Sequence, residues 1–199
     1  MNDSLTFILA AVALIVSPGP ATLSMFATGL QFGFRRGFAF LLGCASGLFV
    51  VSVFSALGMA AVMISGPTVY RAMTVTALAY IGYLALRIAR APPPEIGNTV
   101  TNREPTGFFG GALLSLSNPK AYAATTALFG AFGTERNAGL SPLLTALAII
   151  AIVTLTGNMA WTWAGSAIGR LNLHAKIFRR INIILALMLI ASVVWALLL

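Results

Sequence analysis

The sequence predicts an all-α membrane protein with about six transmembrane helices, arranged as two inverted three-helix repeats whose first and fourth helices are interrupted. Three observations predict this. The composition is too apolar for a water-facing globule, the apolar runs are long enough to cross a bilayer, and two of them carry proline breaks at matching places.

Composition comes first. Of 199 residues, 59% are hydrophobic and 8% charged, and the mean hydropathy is +0.94. A soluble domain carries roughly 25% charged residues, so lipid is the expected solvent for much of this surface. We expect residues 1–199 to form a single transmembrane domain. Residues 1–90 would make the first three-helix half, 91–107 a cytoplasmic linker loop, and 108–199 the second half.

A crossing helix takes about 20 apolar residues. Such runs extend from Leu5 to Gly29, Phe38 to Ile64, Val69 to Leu86, Phe108 to Phe132, Pro142 to Ile168, and Ile181 to Leu199. Between the third and fourth, Arg87 to Gly107 carries Pro92-Pro93-Pro94 and two acids, and reads as a loop. Arg170 to Arg180 reads as a short basic linker. The first run lacks the cationic flank and small-residue cleavage site of a signal peptide, so it is expected to be retained.

The net charge is +8, yet the pattern does not suit nucleic acid. The cations fall in short clusters between apolar runs, which fits topology signals beside anionic headgroups. A nucleic-acid partner would need a basic face on a folded domain. With six spans, Arg35, Arg36, Arg87, Arg90, Arg103, Arg170, Lys176, Arg179 and Arg180 share one side, against Arg71 and Arg136 on the other. The first side should be cytoplasmic, with both termini outside. A first helix that failed to cross fully would flip the amino end.

The chemistry lies in the breaks. Ser17-Pro18-Gly19-Pro20 interrupts the first run and Ser117-Asn118-Pro119-Lys120 the fourth. Each proline removes a backbone donor and frees a carbonyl. At membrane depth such groups are tolerated only where neighbours or a wet cavity satisfy them. One break alone would read as a kink. A shift of about a hundred residues, however, lays Ser17 on Ser117, Ala21 on Ala121, Ala27 on Ala127, Phe32 on Phe132 and Gly33 on Gly133. Matching breaks in two halves of odd helix number point to a midplane site between inverted repeats. Lys120 adds a cation inside an apolar run, where a charge costs at least ~2.5 kcal/mol. It either snorkels or pairs with freed carbonyls, or it faces a cavity and holds a substrate carboxylate.

Other residues are softer signals. Cys44, the single cysteine, excludes an internal disulfide or thiol pair and reads as a small core residue. The lone His174 sits in the basic linker and reads as solvated. Gly29, Gly33 and Gly37, Gly43 with Gly47, and Gly165 with Gly169 have the spacing that lets helices approach closely. Asn158 either hydrogen-bonds another helix or lines the path, with Trp161 nearby. Tyr70 and Trp195 suit interfacial anchors. Neither a cofactor nor a metal site is expected.

Ser17-Pro18-Gly19-Pro20, then Gly33 and Gly37, the Gly43 and Gly47 pair, and Asn118-Pro119-Lys120-Ala121 together resemble the LysE/RhtB amino-acid exporter family. The resemblance runs over nearly the whole chain, through Gly169-Arg170 to Asn182. It implies a secondary transporter in a bacterial-type inner membrane, using an ion gradient to export an amino acid or small derivative. A proton is the candidate coupling ion, and homodimers are compatible with the family. The substrate-binding residues would be Ser17, Pro18, Gly19, Pro20, Asn118, Pro119, Lys120 and Asn158. Two departures matter. Leu48 stands where many members have an acidic or polar residue, and Gly130-Ala131-Phe132 replaces a Pro-Gln-Phe triplet. Without the acid, a neutral substrate is expected over a strongly cationic one. The alternatives are a non-transporting membrane scaffold or an exporter of another small solute. An intramembrane enzyme is disfavoured, because the only His lies outside the apolar runs.

Overall fold

Helices account for nearly all of the chain that the computed structural model describes, namely residues 2–58, 67–91, 105–131, 140–171 and 174–198. In order they are α1 (Asn2–Ile15), α2 (Pro20–Ala56), α3 (Pro67–Ala89), α4 (Phe108–Leu116), α5 (Pro119–Ala131), α6 (Leu140–Gly169) and α7 (Ala175–Leu198). The expected interruptions are both present, between α1 and α2 and between α4 and α5.

α2 is a folded helix. Gly33 has φ 78° and ψ 168°, a left-handed value that costs a residue with a Cβ about 1–2 kcal/mol. Its two arms, 20–32 and 34–56, run back along each other. A Cβ added at Gly37 would lie 3.1 Å from Thr28 Cγ2, whereas nine residues of straight helix would separate them by about 13 Å. Thus the first and second apolar runs are distinct arms joined at a single glycine, without the longer link that Arg35 and Arg36 suggested.

Two other boundaries differ from expectation. α7 begins at Ala175, so Lys176, Arg179 and Arg180 belong to the helix and not to a linker. Phe178 is buried and packs into the core while these three cations are exposed; the charges mark one face of an amphipathic first turn. Likewise α3 runs on to Ala89, and Arg87 Nη1 reaches Thr106 Oγ1 at 2.8 Å. Pro92-Pro93-Pro94, Arg103, Phe132, Gly133 and Arg136, with the side chains of Tyr70, Arg71 and Trp195, lie outside the described residues.

Both arms of α2 form the centre of the bundle. Arm 20–32 packs on α6, where a Cβ at Gly29 would collide with the Thr162 carbonyl and one at Gly165 with the Phe26 carbonyl. Arm 34–56 packs on α4, where a Cβ at Gly43 would strike the Phe108 carbonyl and one at Gly111 the Phe40 carbonyl. Small residues let the backbones touch, which is how apolar helices gain packing energy without a hydrophobic drive between them. α3 and α7 close over this centre through Ile81, Leu84, Phe178 and Leu189. At the opposite end, Phe7 and Ala11 of α1 meet Leu128 of α5 and Ala146 of α6.

The outer face is apolar. Leu5, Leu9, Leu78, Leu144, Ile152, Trp163 and Leu187 are exposed, a surface suited to lipid and poorly suited to water. Leu140–Gly169 is long and apolar enough to cross a membrane, and Pro20–Ala56, with its two arms counted together, likewise contains a stretch with a mean hydropathy of 2.1.

Candidate functional site between the broken helices

Proline has no N–H to lose at a helix start, and its fixed φ suits the first helical position. Accordingly Pro20 opens α2 and Pro119 opens α5. The residues in front complete the starts. The Gly19 N–H donates to Thr22 Oγ1 at 2.8 Å, and the Lys120 N–H donates to Asn118 Oδ1 at 3.1 Å, a side-chain cap.

On the other flank of each break, carbonyls lose their helical partners. Side chains from elsewhere satisfy them. Trp161 Nε1 donates to the Val16 carbonyl at 2.9 Å, and Tyr122 Oη to the Leu116 carbonyl at 2.9 Å. α6 comes close enough for this because position 157 is glycine: a Cβ there would stand 2.7 Å from Val16 Cγ2.

Lys120 joins the two breaks. Its Nζ donates to the Ser17 carbonyl at 2.7 Å, to Ser17 Oγ at 2.9 Å and to the Pro18 carbonyl at 3.1 Å. Three N–H groups meet three oxygens, so the ammonium is satisfied without a carboxylate. These oxygens follow the C-terminus of α1, where the helix dipole also favours a cation. Ser17 Oγ donates onward to the Leu14 carbonyl at 3.1 Å. Gly19 leaves the space, since a Cβ there would lie 2.9 Å from Lys120 Nζ.

A cavity of about 40 Å³ opens beside this junction. Gly19, Pro20, Asn118, Lys120 and Asn158 of the expected set line it. Ser17 and Pro18 join the arrangement through Lys120, while Pro119 sets the start of α5 and is not in the wall. Asn158 faces the cavity, and among the described residues its side-chain amide has no hydrogen-bonding partner. Leu48 and Cys44 form part of the apolar wall, and no acidic side chain lines it among the described residues. Cys44 is buried as expected. His174 is exposed before α7 and is not in the cavity wall, and no cluster of metal-ligating groups occurs among the described residues.

Sequence reasoning missed several wall and support residues. Thr22, Ser115, Tyr122 and Thr154 are unremarkable residue types within apolar helices. Two carried a positional signal: Thr22 stands three residues after the Gly19 cap, and Thr154 one turn before Asn158.

An apolar-surfaced helical bundle with a largely apolar cavity, carrying a few polar groups, between two broken helices fits a multi-pass membrane transport protein. The family model for the LysE type translocator matches residues 12–198, and the chain belongs to this family. It is similar to the cysteine/O-acetylserine efflux protein of Escherichia coli (strain K12), 26% identical over 175 residues, covering 88% of this chain and 87% of that protein. Proteins of the same description from Escherichia coli O139:H28 and Shigella flexneri serotype 5b match to the same extent. No solved structure matches the chain.

Proposed function

We propose that this protein is a secondary transporter that exports a small neutral amino acid or amino-acid derivative from the cytoplasm, with its site between the two broken helices. The observation that carries the reading is the junction at Lys120. A cation held at the meeting point of two interrupted helices, beside a cavity, offers a substrate carboxylate a ready partner. Freed carbonyls such as those of Ser17 and Pro18 can in turn accept from a substrate ammonium group. The relatives named for cysteine and O-acetylserine efflux support a small, uncharged side chain, as does the apolar Leu48 in the wall.

The remaining parts of the reading follow from the same architecture. α1 with arm 20–32, arm 34–56 and α3 would be the first half, and α4 with α5, α6 and α7 the second, in six crossings of inverted sense. The substrate carboxylate would compete with Ser17 and Pro18 for Lys120, coupling occupancy to the contact between halves. An ion gradient would supply the driving force.

Lys120→Ala tests this directly. Efflux from proteoliposomes should fall to the level of empty vesicles while the protein still inserts and elutes as folded material. Export at wild-type rate by that variant would remove Lys120 from the mechanism.

A further inference from the structure

The cavity wall carries six side chains with nitrogen or oxygen: Thr22, Ser115, Asn118, Lys120, Thr154 and Asn158. Four of them are engaged by the protein. Thr22 Oγ1 serves the Gly19 cap, Ser115 Oγ donates to the Cys44 carbonyl at 2.8 Å, Asn118 Oδ1 caps α5, and Lys120 holds the first break. Thr154 and Asn158 are different. Both are buried, at 2% and 5% exposure; Thr154 Oγ1 has no partner, and among the described residues the Asn158 amide makes no hydrogen bond.

Thr154 is the sharper case. A threonine inside a helix commonly donates its hydroxyl to the carbonyl four residues back. Thr28, Thr125, Thr145, Thr156 and Thr162 all do so in this protein. Thr154, a residue of the cavity wall, does not, and its Oγ1 is buried with nothing to bond. Ser24 Oγ, Gln31 Nε2, Thr126 Oγ1 and both side-chain polar atoms of Asn182 are also buried and unpartnered, but none of these residues lines the cavity as Thr154 does. Buried polar groups are almost always satisfied, so an idle hydroxyl in a cavity wall points to a ligand that satisfies it. Asn158 lies one turn on, on the same helix face, with an amide that both donates and accepts.

We infer that Thr154 and Asn158 form the subsite that reads the substrate side chain. It selects small amino acids whose side chain carries a neutral hydrogen-bonding group, such as a hydroxyl, over apolar ones of similar size. This rests on the reading of the protein as an amino-acid exporter with its site at Lys120, and it assigns what that reading leaves open. Neither residue carries charge, and Leu14, Ile15, Leu48, Ala121 and Ala124 make much of the remaining wall apolar, with Lys120 its one cation among the described residues. With Lys120 engaged by the substrate carboxylate, a charged side chain would find no second partner of opposite sign there. An apolar one would leave Thr154 and Asn158 unpaired, which is how hydrogen-bonding sites reject analogues lacking the group.

The test uses proteoliposomes of the full chain, with L-serine and L-alanine labelled differently and present together at equal concentration. Wild type should move serine over alanine by roughly tenfold or more. Thr154→Val and Asn158→Leu should each bring the ratio to within about twofold of unity, and Thr154→Ser, which keeps the hydroxyl, should retain the preference. Thr156→Val, on the exposed face of the same helix, should leave ratio and rate unchanged. Because both solutes are read in the same vesicles, the ratio does not depend on how much protein folds. An unaltered ratio in Thr154→Val and Asn158→Leu overturns the subsite alone, as does an equal slowing of both solutes. If wild type moves neither amino acid, the exporter reading fails and the subsite falls with it.

Discussion

At the scale of single residues, the site was legible where the sequence breaks its own rule. Three prolines and a lysine inside apolar runs are costly in a membrane, so Pro18, Pro20, Pro119 and Lys120 declared themselves. What Lys120 touches was only half legible. Freed carbonyls were foreseeable from the prolines, but the choice of Ser17 and Pro18 depends on how two distant segments are placed. Trp161 shows the limit more clearly. Its indole N–H holds the Val16 carbonyl at 2.9 Å, yet a tryptophan in an apolar helix carries no mark of its partner 145 residues away. Trp161→Phe keeps the ring that meets Phe26 edge-on, at 6.2 Å between centroids, and removes the donor. We expect a loss of about 1 kcal/mol, the net worth of a hydrogen bond to a part-buried carbonyl. Thermal unfolding in detergent would show it as a lowered Tm, and an unchanged Tm would mean that water or lipid replaces the indole.

At the scale of elements, each described helix overlaps at least one of the apolar runs, because a backbone in hydrocarbon has few alternatives. Ends were foreseen less well. Charges at Arg87, Lys176, Arg179 and Arg180 were read as loop, whereas their long side chains leave the helix face while the backbone stays helical. Glycine spacing announced close packing without saying which helices meet. The structure resolves the pairs, and the same residue type separates into two classes. At Gly29, Gly43, Gly111 and Gly165 a Cβ would collide with a neighbouring backbone carbonyl. At Gly82 and Gly130 it would meet nothing within 4 Å. Gly29→Leu or Gly43→Leu should therefore destabilise the bundle by roughly 3 kcal/mol or more, as overpacking against immovable backbone does. Gly82→Ala should be neutral or stabilising by up to about 1 kcal/mol, through helix propensity. Detergent melts of these variants, compared side by side, decide the point: equal Tm values across both classes would show that the close approaches contribute nothing.

At the scale of the whole molecule, the question is which end faces the cytoplasm. The fold-back at Gly33, the start of α4 and the end of α6 lie at one end of the bundle, since Gly43 meets Phe108 and Leu30 meets Gly169. Arg35 and Arg170 line one shared hollow there, and Arg87 bonds Thr106 just ahead of α4. The beginning of α1 lies at the other end, where Phe7 packs with Leu128 and Ala146. From that start, the six proposed passes, through α1 with arm 20–32, arm 34–56, α3, α4 with α5, α6 and α7, would return the chain to the end where it began. The cation-rich end is the one that the positive-inside rule retains in the cytoplasm, so both termini should be outside. This prediction couples charge to path: an odd number of crossings would place the termini on opposite sides, whichever end carried the arginines. Reporter fusions at the two termini separate the cases. A periplasmically active enzyme should work at either end, and a fluorescent protein that matures only in the cytoplasm should stay dark at both. A bright carboxyl-terminal fusion would overturn the topology, and with it the inverted relation of the two halves on which the midplane site depends.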